Sequence, residues 1–135
     1  MKRLHLAAGL LVVASCMGLQ AQVLDARAEV PFDFWLGQKL MPAGEYLIYH
    51  MGTGAVMLQE RRDTRASAIF LAQPTSRADR REGTLEFTRY GNAYFLSKIW
   101  NPYETDGYAV PKSSREKEIA SHVPSSTAGI ALLRK

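Results

Sequence analysis

The residues best suited to recognition chemistry are arginines in two short groups: Arg61, Arg62 and Arg65, then Arg77, Arg80 and Arg81. A guanidinium fork matches phosphate and carboxylate, so either group is a candidate anion site for headgroups or acidic glycans. Each group also carries its own acids, Asp63 in the first and Asp79 and Glu82 in the second. That composition equally suits solvated turns with internal ion pairs. Downstream, Trp100, Tyr103 and Tyr108 offer rings that can stack on a sugar or fill a core. In a simple meander the Trp100–Tyr108 loop falls at the same end as the second arginine group, and the first group falls at the opposite end. The candidate ligand-binding set is therefore Arg77, Arg80, Arg81, Trp100, Tyr103 and Tyr108.

Catalytic chemistry has fewer candidates. Only His50 and His122 follow the N-terminal segment, without close ligand spacing, so no metal site is expected. His50 reads as a strand-end side chain, and His122 as a favourable charge near a helix C-terminus. There is no Gly-x-Ser-x-Gly elbow. Gly52-Thr53-Gly54 is too short for a phosphate loop and precedes a strand. Asp33, Glu45, Glu60, Glu86, Glu104 and Asp106 are scattered carboxylates. A glycosidase pair stands roughly 5 to 9 Å apart in a cleft, and no spacing selects such a pair. No catalytic residue and no cofactor are expected.

The first twenty or so residues have the form of an export signal. Lys2 and Arg3 open it, and no charged residue (His5 counted neutral) follows from Leu4 to Leu19. A basic start, an apolar run and a small-residue exit define a signal peptide. The expected segment is 1–21, ending at Leu19-Gln20-Ala21. Ala26-Arg27-Ala28 is a second exit. Val13-Ala14-Ser15-Cys16 is a third, in which Cys16 would be lipidated and the signal would end at residue 15. Cys16 is the only cysteine. Cleavage at Ala21 thus leaves no disulfide, no thiol nucleophile and no CxxC redox site.

About 110 residues then remain, enough for one domain that buries about two-thirds of its unfolded surface. The whole chain is +4, from 17 basic and 13 acidic residues; removing Lys2 and Arg3 leaves 15 against 13, or +2. This balance, with export, argues against a nucleic-acid partner.

The rest of the chain reads as strands separated by turn chemistry. Val30 to Leu36 alternates, with Pro31 limiting it to an edge strand or a strand start. Met41-Pro42-Ala43-Gly44 predicts a turn in which Gly44 supplies a positive φ. Strands are expected over Glu45 to Met51 (central, apolar on both faces), Ala55 to Glu60 and Ala66 to Gln73, then a polar loop from Pro74 to Gly83. Gly91-Asn92 between Thr84–Tyr90 and Ala93–Trp100 predicts a type II′ hairpin. Its register pairs Tyr90 with Ala93, Arg89 with Tyr94, Phe87 with Leu96 and Leu85 with Lys98. Tyr108 to Val110 is a last short strand. Ser113 to Val123 reads as a helix with a Ser113/Glu116 capping box, stopped by Pro124. Residues 124–135 read as a loose tail. The expected fold is all-β, an antiparallel sandwich or small barrel of six to seven strands with a short C-terminal helix, its domain spanning 29–123.

Several stretches taken in order resemble a family of small exported acidobacterial proteins. They are Pro31-Phe32-Asp33-Phe34, Met41-Pro42-Ala43-Gly44-Glu45-Tyr46, Arg89-Tyr90-Gly91 with Tyr94-Phe95-Leu96, and Val110-Pro111-Lys112-Ser113. The resemblance covers residues 30 to about 120. It implies export and a β-rich domain, and it carries no reaction, substrate or catalytic residue.

The reading that follows is an exported, non-enzymatic binding or interaction module of the bacterial envelope, periplasmic or secreted. It would act through loop ends or a strand edge on an envelope component or small ligand. It would touch a membrane only by a tether at Cys16. One alternative is a small barrel holding an apolar or aromatic ligand. Another is an envelope hydrolase using paired carboxylates, with Glu45, Glu86 and Asp106 as its best candidates.

Overall fold

The computed structural model describes residues 23–133 apart from Thr53. The expected signal segment 1–21 and Cys16 lie outside the described residues. Among the described residues no helix is long and apolar enough to cross a membrane.

Two sheets face each other. One has four strands in the order β1 (Val23–Val30), β4 (Gly44–Met51), β5 (Ala55–Glu60) and β6 (Ser67–Leu71). The other runs β11 (Ser125–Ala131), β8 (Thr84–Tyr90), β9 (Ala93–Trp100), β10 (Asp106–Ala109) and β7 (Gln73–Ser76). Two short strands join it, β2 (Phe34–Leu36) and β3 (Lys39–Met41), with β2 parallel to β9 at Trp35 and Phe95. A short helix, α1 (Ser114–Ala120), completes the set. The fold is all-β and sandwich-like, as expected. The sheets do not close into a barrel, and Phe34, Met41, Tyr46, Leu58, Phe87 and Leu96 fill the space between them. The ligand-holding barrel is therefore not the architecture formed.

The stretches that carry the resemblance meet in this core. Phe32 stacks on Tyr94 at 3.8 Å and meets Phe87 edge-on at 5.0 Å. Phe34 meets Tyr46 and Phe87 edge-on at 5.1 and 5.2 Å. Edge-to-face contact adds about 0.5–1.5 kcal/mol per pair beyond area burial. The Asp33 carboxylate accepts the Ala43 N–H at 2.8 Å, and the Tyr46 hydroxyl donates to the Pro42 carbonyl at 2.5 Å. These motifs build the fold.

Several expectations are corrected. Val30 to Leu36 is not one strand, because Pro31 lacks the N–H needed to continue the ladder and β1 ends before it. Gly44 does not adopt a positive φ, which among the described glycines belongs to Gly37, Gly54 and Gly91. Its role is close approach: a Cβ there would lie 3.0 Å from Glu60 Cγ and Oε1. Ala66 to Gln73 is divided, since the chain leaves the first sheet after Leu71 and enters the second at Gln73. The polar loop therefore starts after Ser76, three residues beyond Pro74 at its nearest. The strand order is no simple meander.

The hairpin is the type II′ form, with Gly91 at φ 60°. Its register holds from Tyr90–Ala93 to Phe87–Leu96, then shifts by one residue. Leu85 faces Ile99 rather than Lys98, and Glu86 faces Lys98. Ser97 is the extra residue, its hydroxyl donating to the Glu86 carbonyl at 2.8 Å. Without this bulge the alternation would turn the Lys98 ammonium inward; with it, Ile99 takes the buried place.

The helix is shorter than 113–123, with Ser113 as its N-cap and the Ser113 hydroxyl accepting the Glu116 N–H. The Glu116 carboxylate accepts a hydrogen bond from the Tyr90 hydroxyl at 3.0 Å. Arg115 lies 4.2 Å over Trp35, so α1 covers the outer face of the larger sheet. The expected loose tail is strand β11, which pairs with β8 over its whole length.

Candidate functional site

The corner at Ala72 matters for the site. β6 and β7 run on in one direction, carrying the chain from the Arg61–Arg65 turn at one end to Arg77 at the other. β7 pairs with β10, and the Arg77 N–H donates to the Thr105 carbonyl at 2.8 Å. The loop after β7 and the loop between β9 and β10 thus lie side by side. Between them and the outer face of β8 and β9 is an open cleft of about 660 Å³.

Arg77 builds the cleft rather than serving it. Its Nε donates to the Glu104 carbonyl at 3.1 Å. Its terminal nitrogens donate to the carbonyls of Arg81 (2.8 Å), Asn101 (3.2 Å) and Glu82 (3.3 Å). It also sits 5.2 Å over the Trp100 ring. Trp100 is only 7% exposed. Lys98 lies 5.6 Å from its ring, and the Trp100 indole N–H donates to Glu86 Oε2 at 2.8 Å. Gly107 packs flat on it, since a Cβ there would come 2.5 Å from the ring. Trp100 is thus the sheathed base of the cleft, without an open face for stacking.

The open ring is Tyr103, 66% exposed at the cleft edge. Its backbone is left-handed, with φ 57°, the only positive φ of a non-glycine among the described residues. Such a conformation costs on the order of 1 kcal/mol or more for a residue with a Cβ. The Tyr103 N–H holds it there by donating to the Arg81 carbonyl at 2.7 Å. Arg81 pairs with Asp79 at 3.0 Å, both well exposed. Glu82, Thr84 and Glu86 complete the lining.

Four of the six candidate residues therefore come together: Arg77, Arg81, Trp100 and Tyr103. Arg80 is exposed and outside the lining. Tyr108 is excluded by strand alternation: with Gly107 opposite Trp100, Tyr108 faces the other way. It contacts His50 across the sandwich at 4.5 Å, where burial pushes the His50 pKa down. Glu86 and Thr84 were not expected in the site. Their signal was present in the hairpin alternation, which sets both on the face opposite Leu85 and Phe87.

The first arginine group is occupied locally. Arg61 pairs with Glu45 at 3.2 Å and Arg65 with Asp63 at 3.3 Å. The Arg65 backbone N–H and side chain hold the Asp63 carboxyl below its ordinary range. Buried Glu60 accepts the N–H groups of Arg62 and Asp63 at 2.7 and 2.5 Å, closing the turn. The candidate carboxylates are dispersed. Glu45 belongs to the smaller sheet against Arg27 and Arg61, Glu86 faces the cleft, and Asp106 is outside the lining. Among the described residues no group of three or more His, Cys, Asp or Glu could hold a metal ion. Comparison with protein-family models, curated proteins and solved structures found no match to this chain.

Proposed function

We propose that the chain is an exported, non-catalytic binding module of the bacterial envelope. Its ligand is a neutral, hydroxyl-rich saccharide held in the cleft beside Tyr103. Export rests on the basic start and apolar run of 1–21. The observation that carries the binding reading is Tyr103, a large ring kept exposed in a strained backbone where glycine or asparagine would be cheaper.

Charge in the cleft decides between ligand classes. The lining holds two guanidiniums, Arg77 and Arg81, against three carboxylates, Asp79, Glu82 and Glu86. Arg77 is spent on main-chain carbonyls, and Arg81 is paired. An anion would find few donors and several negative neighbours. A ligand that brings donors, as sugar hydroxyls do, meets acceptors around an aromatic ring.

Tyr103→Gly separates recognition from stability. Removing the Cβ relieves the left-handed strain, so the unfolding free energy should hold or rise by about 1 kcal/mol. Calorimetry with cell-wall and exopolysaccharide oligosaccharides should show affinity falling about tenfold or more, roughly 1.4 kcal/mol. Equal affinity in the variant, or no saccharide bound by the unsubstituted chain, would overturn the reading.

A further inference from the structure

An unguarded sheet edge lies on the other sheet, independent of the saccharide reading. Strand β6 is the outer member of the four-stranded sheet. Its sequence, Ser67-Ala68-Ile69-Phe70-Leu71, contains no charge and no proline. Ile69 is 58% exposed and Leu71 73% exposed. Both lie on the outer face, opposite Met57 and Ala55 of β5. Two of the other edges are guarded: β7 contains Pro74, and β1 is bridged by Leu133 at Arg27.

The direction of the free backbone groups follows from the ladder. The Glu60 N–H donates to the Ala66 carbonyl, and the Ala72 N–H donates to the Gly54 carbonyl. Residues of that parity turn both their groups toward β5, so Ser67, Ile69 and Leu71 turn theirs outward. Lys39 Nζ caps one of these, the Ser67 carbonyl, at 2.5 Å. Ile69 and Leu71 remain as the outward-facing pair.

We propose that β6 pairs antiparallel with β6 of a second copy of this chain, about a two-fold axis at Phe70. In that register Ile69 of each copy faces Leu71 of the other. Both residues direct N–H and C=O outward, so the two pairs form four main-chain hydrogen bonds and leave the Lys39 cap intact. The outer-face side chains then meet as an Ile–Leu–Leu–Ile cluster, a favourable cross-strand set. Charge supports a second copy of the chain as the occupant. Arg65 and Lys39 make one end of β6 basic, while the Leu71 end is uncharged. Antiparallel pairing sets each basic end beside the uncharged end of the other copy. The two Arg65 residues then stand about 30 Å apart along the strand axis, beyond the screening length of about 8 Å.

The test is sedimentation equilibrium of the purified chain over a wide concentration range, with amide hydrogen exchange at both extremes. The expected result is a monomer–dimer equilibrium that disappears in Leu71→Lys and in Ile69→Lys, with unchanged thermal unfolding of the monomer. The Ile69 and Leu71 amides should become protected as concentration rises, while those of Ala68 and Phe70 are protected throughout. A monomer at all concentrations, a dimer that survives both substitutions, or a dimer whose Ile69 and Leu71 amides exchange freely would each overturn the proposal.

Discussion

At the scale of the single residue, Arg77 is the organiser of the candidate site. One guanidinium satisfies carbonyls at 81, 82, 101 and 104, tying two loops that have no strand pairing with each other. Arg77→Ala should lower stability by about 2 kcal/mol, the scale of charge-assisted bonds lost from a half-exposed position. Arg77→Lys should recover less than half of this, because an ammonium cannot reproduce the planar fork. Urea midpoints of the three proteins check the order; a Lys midpoint equal to that of the unsubstituted chain would mean the fork is unimportant.

Two tyrosines make a second residue-scale prediction. Burial, then the charges of Glu60, Asp33 and Asp63, push the Tyr46 pKa well above its ordinary value. Burial, then the hydrogen bond to Glu116 and its charge, push Tyr90 up as well. An unfolded tyrosine releases its proton near pH 10 while the folded one keeps it. The unfolded state then binds fewer protons, so this stabilisation is complete below about pH 10 and is lost as pH rises toward the folded values. For Tyr46 the slope approaches about 1.4 kcal/mol per pH unit. Urea unfolding across the alkaline range should give a shallower slope for Tyr46→Phe than for the unsubstituted chain; an identical slope would remove Tyr46 from the explanation.

At the scale of the element, the β8–β9 hairpin was legible to the extent that its turn was. Gly91-Asn92 and the alternation on either side fix the strands and the near register. The far register was hidden because Ser97 carries no bulge signature, neither glycine nor a positive φ. Only the burden of a buried Lys98 reveals that one residue must be left over. Deleting Ser97 should leave an unbroken ladder that keeps Lys98 opposite Glu86 and Ile99 opposite Leu85, at a cost of about 1 kcal/mol for the lost Ser97 hydrogen bond. A retained cooperative thermal transition is the expected readout; its loss would mean that the bend made by the bulge is needed to seat the far half of the strand. β11 was illegible for a different reason. Ser-Ser-Thr-Ala-Gly-Ile-Ala has little strand character of its own and acquires it from the open edge of β8. The corner at Ala72 was hidden in the same way, since a sequence does not say which sheet a strand joins. The aromatic–arginine meeting was still foreseen, because a run of strands returns the chain to the same end whether or not it changes sheet.

At the scale of the whole molecule, the fold bears on how the chain is processed. Of the three exits open on sequence grounds, Ala21 and Ala28 differ most in what they do to strand β1. Ala26 and Ala28 are buried, and Ala28 pairs with Tyr46 on β4. Arg27 pairs with Glu45 at 3.6 Å and exchanges main-chain bonds with Leu133 at 2.8 and 3.3 Å. Cleavage after Ala28 would remove Val23 to Ala28 from β1, uncover most of β4 and create a second open edge on the smaller sheet. Cleavage after Ala21 leaves the strand whole, with Gln22 just before it. A lipidated Cys16 would also leave it whole. Its tether would then be only Met17 to Gln22, reaching about 20 Å at full extension and holding the sandwich close to the membrane surface. Intact mass of the exported chain is the check. A chain beginning at Gln22 is expected, and one beginning at Glu29 would mean that β1 is dispensable and that the smaller sheet works with three strands.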